Sequence, residues 1–91
     1  MLISLEEIKN YLRVDYEDDD ALLEAMIQGS TQLCMDVARV DDLAAFSEMP
    51  NAKIAVMFAV AYQYEHREDA DHKSLTLTLR ALLFGYRKAA F

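Results

Sequence analysis

The sequence predicts an all-α fold: a single small domain of about four helices, the second and third long and antiparallel. Of 91 residues only 2 are Gly and 1 is Pro, too few turn formers for the many short strands of a sandwich or barrel. Hydrophobic residues make up 54% and charged residues 27%, which is ordinary globular usage and too apolar for a disordered chain. Apolar residues recur at three- and four-residue steps over most of the length, the spacing of a helix face. A chain of this size buries roughly two thirds of the surface its unfolded form exposes, which is one core, so residues 1–91 are expected as one domain.

The first helix opens on a capping box, Ser4-Leu5-Glu6-Glu7, in which the Ser4 hydroxyl can accept from the Glu7 amide while the Glu7 carboxylate reaches back. Ile3 and Ile8 stand where a hydrophobic staple puts them, and Leu5, Ile8 and Leu12 share one face as far as about Arg13. Asp18, Asp19 and Asp20 suit the positive end of a second helix over about residues 20–40. Leu22, Met26, Leu33, Val37 and Val40, with Ser30 in the gap, form its expected buried stripe. Gly29 weakens a helix interior by about 1 kcal/mol relative to Ala, so a close neighbour is expected beside it. Cys34, between Leu33 and Met35, reads as a packed thiol.

Residues 41–49 read as a loop, and Pro50 suits the first turn of a third helix reaching about residue 69. From residue 52 to 62 almost every side chain is apolar, so that helix is buried on several sides. Either the other helices wrap it, or part of its circumference meets another subunit. Farther on, Leu75, Leu77 and Leu79 alternate with Thr76 and Thr78 like a strand, whereas Leu79, Leu82, Leu83 and Tyr86 repeat like a helix. The expectation is a short extended lead-in over residues 73–78 and a last helix over 79–84, stopping at Gly85.

Nine Lys and Arg against 16 Asp and Glu give a net charge of −7, the wrong sign for a protein that grips phosphates. The imbalance is local: residues 1–49 hold 12 acids and 3 bases, residues 50–91 hold 4 acids and 6 bases. A lone cysteine and an acidic start without a long apolar run predict a protein made in a reducing cytosol, with no membrane partner.

Most chemistry fails on spacing. Asp15, Glu17 and Asp19 alternate like the start of a calcium loop, but its sixth position is Asp20 instead of Gly and its twelfth is Met26 instead of Glu. His66 and His72 lie six apart, a poor match to one helix face, so a solvated helix end is the plain alternative to a metal site. There is no Gly-rich phosphate loop or nucleophile elbow. A chorismate-mutase-like bundle needs cations converging on a dianion, and here Lys9, Arg13 and Arg39 are dispersed. No catalytic residue, metal or cofactor is expected.

Three segments then resemble one family. Leu5-Glu6-Glu7-Ile8-Lys9-Asn10-Tyr11-Leu12-Arg13-Val14-Asp15, followed by Asp18-Asp19-Asp20 and Leu22-Leu23, is similar to the start of tailed-phage head-tail connector proteins, also called adaptor or DNA-packaging proteins. Tyr64-Glu65-His66-Arg67-Glu68 resembles the ending of their third helix, and Arg80-Ala81-Leu82-Leu83-Phe84-Gly85-Tyr86-Arg87 their closing segment. The resemblance implies a non-enzymatic helical subunit of a homo-oligomeric ring below the portal, continuing the DNA channel toward a stopper or tail protein. It also implies a place in the virion at the head-tail junction, with assembly in the host cytoplasm. The residues agree at two points: an apolar third helix and unequal charge halves suit heterologous ring contacts, and acidic walls let DNA slide. The alternative is a small acidic helical regulatory module that binds a basic or DNA-binding partner.

Two expectations about individual residues follow. Arg67, on the same helix face as Tyr64, should pair with Asp19 or Asp20 and fix the third helix against the second. Asp18, Asp19, Asp20 and Glu24 should approach Arg80, Arg87 and Lys88 of a neighbouring copy, whereas the plain reading leaves the aspartates as solvated helix caps.

Overall fold

Helix α1 (Leu5–Leu12) begins at the capping box: the Glu7 amide donates to the Ser4 hydroxyl at 3.1 Å and the Ser4 amide to the Glu7 carboxylate at 3.0 Å. Ile3 and Ile8 are both fully buried, as a staple requires. The computed structural model describes residues 2–69 and 71–84, and among these four further helices follow: α2 (Asp20–Ala38), α3 (Leu43–Ser47), α4 (Ala52–Glu65) and α5 (His72–Phe84). No strand occurs among the described residues.

α1 and α2 end in the same way. Arg13 and Arg39 both take φ 62°, the left-handed region, and the valine after each sends its amide back into the helix. Val14 reaches the Lys9 carbonyl at 2.9 Å, and Val40 reaches that of Met35 at 3.0 Å. This is the Schellman stop with arginine where glycine is cheaper by about 1 kcal/mol. Val14 is buried and Val40 half-buried, so each stop also tucks an apolar side chain under the bundle.

α2 buries Leu23, Ile27, Ser30, Cys34 and Ala38. The expected stripe is thus displaced by one residue, about 100° around the helix. Leu22 stays exposed, while Met26, Leu33, Val37 and Val40 form a half-buried flank against the core. Both series fit helical spacing, and the position of α4 decides between them: the Gln63 amide donates to the Ser30 hydroxyl at 2.8 Å. The close neighbour expected at Gly29 is also absent, since a Cβ there would meet nothing within 4 Å. Cys34 is fully enclosed, and burial pushes its thiol pKa up to about 12.

Three boundaries differ from expectation. Within the expected loop, Asp42 accepts from the Ala45 amide at 3.3 Å and Phe46 is fully buried, which together fix the extra helix α3. Pro50 precedes α4 in a turn, and α4 ends at Glu65 instead of near residue 69. The extended lead-in over residues 73–78 is helical: the Asp71 carboxylate accepts the Lys73 and Ser74 amides at 3.1 and 3.2 Å and starts α5 there. A strand would keep Leu75, Leu77 and Leu79 together; the helix buries Leu75, Leu79 and Leu83 and leaves Leu77 54% exposed. The expected stop at Gly85 lies outside the described residues.

α4 is central and touches all four other helices. Its small residues Ala52, Ala55 and Ala59 are buried and allow this close approach. Tyr64 near its end bonds Asp19 at the start of α2, and Asn51 before its start donates to the Leu82 carbonyl near the end of α5 at 2.8 Å. α2 and α5 therefore both run antiparallel to α4.

Candidate assembly surface at the loop end

The connections 13–19 and 66–71 meet at one end of the bundle. Asp19 is the N-cap residue of α2 but makes no capping bond. Its carboxylate instead accepts the Tyr64 hydroxyl at 2.6 Å. Tyr64 has one hydroxyl proton and has given it to Asp19, so Tyr16, 3.2 Å away, is the donor in the contact between the two hydroxyls. The Asp19 carboxylate, which accepts the Tyr64 proton and would repel a tyrosinate, holds the Tyr64 pKa well above the ordinary tyrosine range. The Arg67 guanidinium lies 4.8 Å from the Tyr64 ring centroid, with one nitrogen 4.0 Å from the Asp19 carboxylate.

The three aspartates thus have three fates. Asp19 faces Tyr64 and Arg67; Asp20 accepts from the Lys9 ammonium at 2.7 Å, tying α1 to α2; Asp18 is exposed. Glu24 and Arg80 are also exposed, and Arg80 has no ion pair among the described residues. Arg87 and Lys88 lie outside the described residues. The structure brings Tyr64, Arg67 and Asp19 together and leaves Asp18, Glu24 and Arg80 facing solvent.

Beside this cluster, between the end of α1 and α4, opens a cleft of about 490 Å³. Phe58, Ala61 and Tyr62 line its α4 side, and Tyr11 and Leu12 its α1 side. Phe58, Tyr62 and His66 stack at four-residue steps, with centroids 6.3 and 4.4 Å apart. The His66 Nδ1 is 3.0 Å from the Tyr62 carbonyl and must carry its proton to bond there. The Tyr62 hydroxyl accepts the Asp71 amide at 3.0 Å, fastening the α4–α5 connection over the stack. The sequence signal of this ladder is the four-residue spacing of rings at 58, 62 and 66, which is hidden because Phe58 also belongs to the apolar circumference of the third helix.

Among the described residues no group of three His, Cys, Asp or Glu side chains is placed to hold a metal ion. No described helix is long and apolar enough to cross a membrane.

Four described helices around a central fifth, with an aromatic cleft beside a carboxylate cluster, define a small all-helical module that offers surfaces to partners. A model of the phage gp6-like head-tail connector protein family matches residues 2–90. The chain belongs to that family and is a structural component of the phage head-tail connection. No curated protein and no solved structure matches it.

Proposed function

We propose that copies of this chain form a ring in the head-tail connection, between the portal protein and a downstream stopper or tail protein. DNA passes through the ring without specific binding. The family match over residues 2–90 carries this reading. The net charge of −7 supports it, because acidic walls repel phosphates and leave DNA free to slide. A ring also needs two different surfaces on each copy. Asp18 and Glu24 supply negative charge for one surface, and Arg80, Arg87 and Lys88 supply positive charge for the other. Asp19 and Asp20, committed to partners within the chain, add only to the field. Tyr64 and Arg67 act inside the subunit, holding the end of α4 to the start of α2.

The deciding experiment is electron microscopy of the purified protein mixed with its cognate portal. Rings seated on the portal are expected. A strict monomer that leaves the portal bare and binds a basic or DNA-binding protein replaces this reading with the acidic regulatory module. Sedimentation in rising sodium chloride separates the forces: screening shortens from about 10 Å at 0.1 M to about 3 Å at 1 M, so charge-steered assembly weakens and apolar contact does not.

A further inference from the structure

We propose that the outer face of α5 in one copy, formed by Lys73, Leu77 and Arg80, docks against the aromatic cleft between α1 and α4 of a second copy. Leu77 enters between the rings, and the two cations face the carboxylates around the cleft. This rests on the ring reading and names the contact that builds the ring.

The cleft offers apolar surface and negative charge together. Tyr11 stands 52% exposed on one wall, and Phe58 and Tyr62 present half-buried rings on the other. The apolar surface continues along α4: Ile54, 56% exposed, lies four residues before Phe58 and seven before Ala61, on the side opposite the buried Ala52, Val56 and Ala59. An apolar side chain docked there removes surface from water on both partners. Glu65 lines the cleft and also a neighbouring depression that holds Glu68 and Asp69. At this end, residues 13–20 and 65–71 carry nine carboxylates against two guanidiniums, which is the whole net charge of −7; the rest of the chain holds seven acids and seven bases. Of the two guanidiniums, Arg67 is engaged over Tyr64 and Asp19, and Arg13 lies at the cleft.

α5 carries the complementary face. From residue 72 to 84 there is no Asp or Glu. Leu75, Leu79 and Leu83 are buried, whereas Leu77, two residues from each of the first two and so on the opposite side of the helix, is 54% exposed. Lys73 and Arg80, four residues before Leu77 and three after it, share its side, are exposed and have no ion pair among the described residues. They are about 10 Å apart along the axis, within the roughly 16 Å from Ile54 to Glu65 on α4, so α5 can lie along the stripe as a helix in a groove.

The same geometry selects a second copy. α4 packs against the buried side of α5, so Leu77 is directed away from α4 and from the cleft beside it in its own chain. Face and cleft are different surfaces, so the contact is heterologous and repeats from copy to copy until a ring closes.

The test uses the full chain. One preparation carries Tyr11→Cys and another carries Leu77→Cys; Cys34, fully buried, stays out of exchange. Mild oxidation of the mixture, with portal present and absent, is expected to give a disulfide-linked pair joining one copy of each. Leu77→Glu brings a carboxylate to the acidic end and should weaken self-association about tenfold or more by sedimentation, with an unchanged melting curve because the side chain is exposed. Lys73→Glu with Arg80→Glu should weaken it as well, and mixing that variant with one carrying Glu65→Lys and Glu68→Lys should restore assembly. Rings that form without any cross-link between positions 11 and 77, or at unchanged strength with Leu77→Glu, overturn the docking and leave the ring standing. Loss of portal binding alone, with self-association intact, assigns the α5 face to the portal and also overturns it. Absence of assembly by the native protein, with and without portal, removes the ring and the docking together.

Discussion

At mid-bundle, where α2 lies against α4, Ser30 is fully buried and is joined by Gln63 amid Ile27, Cys34, Ala59 and Val60, all without solvent exposure. At the loop end the same two helices are joined by Tyr64, Asp19 and Arg67 at the edge of solvent. Burial of apolar surface stabilises the first contact, so it responds to side-chain volume and hardly to pH or salt. Hydrogen bonds and charge make the second, which responds to both. The module thus keeps its stability in the middle and its adjustable chemistry at one end.

The largest expected effect probes the middle. Ile27→Ala opens a cavity in the core and should destabilise the fold by about 3 kcal/mol, lowering the melting temperature by roughly 15 °C in calorimetry. A loss below about 1 kcal/mol would mean the mid-bundle contact is loosely packed.

Next comes the loop end. Tyr64→Phe removes the hydroxyl that donates to Asp19, and solvent screening limits the cost to about 1 kcal/mol. The raised Tyr64 pKa gives a second readout. The folded state favours neutral Tyr64, so this stabilisation is complete below the unfolded tyrosine value of about 10 and is lost as pH rises above it. Thermal melts should therefore fall more steeply above about pH 10 in the native protein than in Tyr64→Phe. Parallel pH curves would remove Tyr64 from the linkage.

Gly29→Ala works in the opposite direction. With nothing within 4 Å of the new Cβ, only the helix preference acts, and stability should rise by about 0.5 to 1 kcal/mol. A decrease would place an assembly contact on that face, visible as a concentration-dependent melt. The smallest effect is that of Arg67→Met, about 0.5 kcal/mol, because this half-exposed pair stands at 4.0 Å. Repeating the melt at 1 M salt should erase that difference and leave the Ile27→Ala loss intact.

The sequence made local signals legible and left the choice among packed faces open. The capping box, the staple and the buried thiol were readable because each depends on neighbours within a few residues. The buried stripe of α2 was placed one residue off because its flank has the same period, and only the position of α4 separates them. Leu77 misled in the same way: a two-residue alternation is also what a helix shows when one leucine faces water. The recurrence of Arg-Val-Asp at residues 13–15 and 39–41 marks both helix stops, yet without a glycine it gave no familiar signal. At the site, Arg67 was expected against Asp19 or Asp20, and it is Asp19 that it approaches while Asp20 turns to Lys9. Tyr16 and the ladder of Phe58, Tyr62 and His66 were missed because their meaning lies in which connections converge, a long-range property.

The bond from Asn51 to the Leu82 carbonyl also has a mechanical consequence. It sits at the last turn of α5, the final segment the structure describes. Tension applied to that segment enters the subunit at this junction and passes directly into α4, which touches every other helix. A force along the connection would therefore be shared across the whole subunit instead of peeling α5 away turn by turn. Removing the Asn51 side chain should lower the pulling force at which α5 detaches.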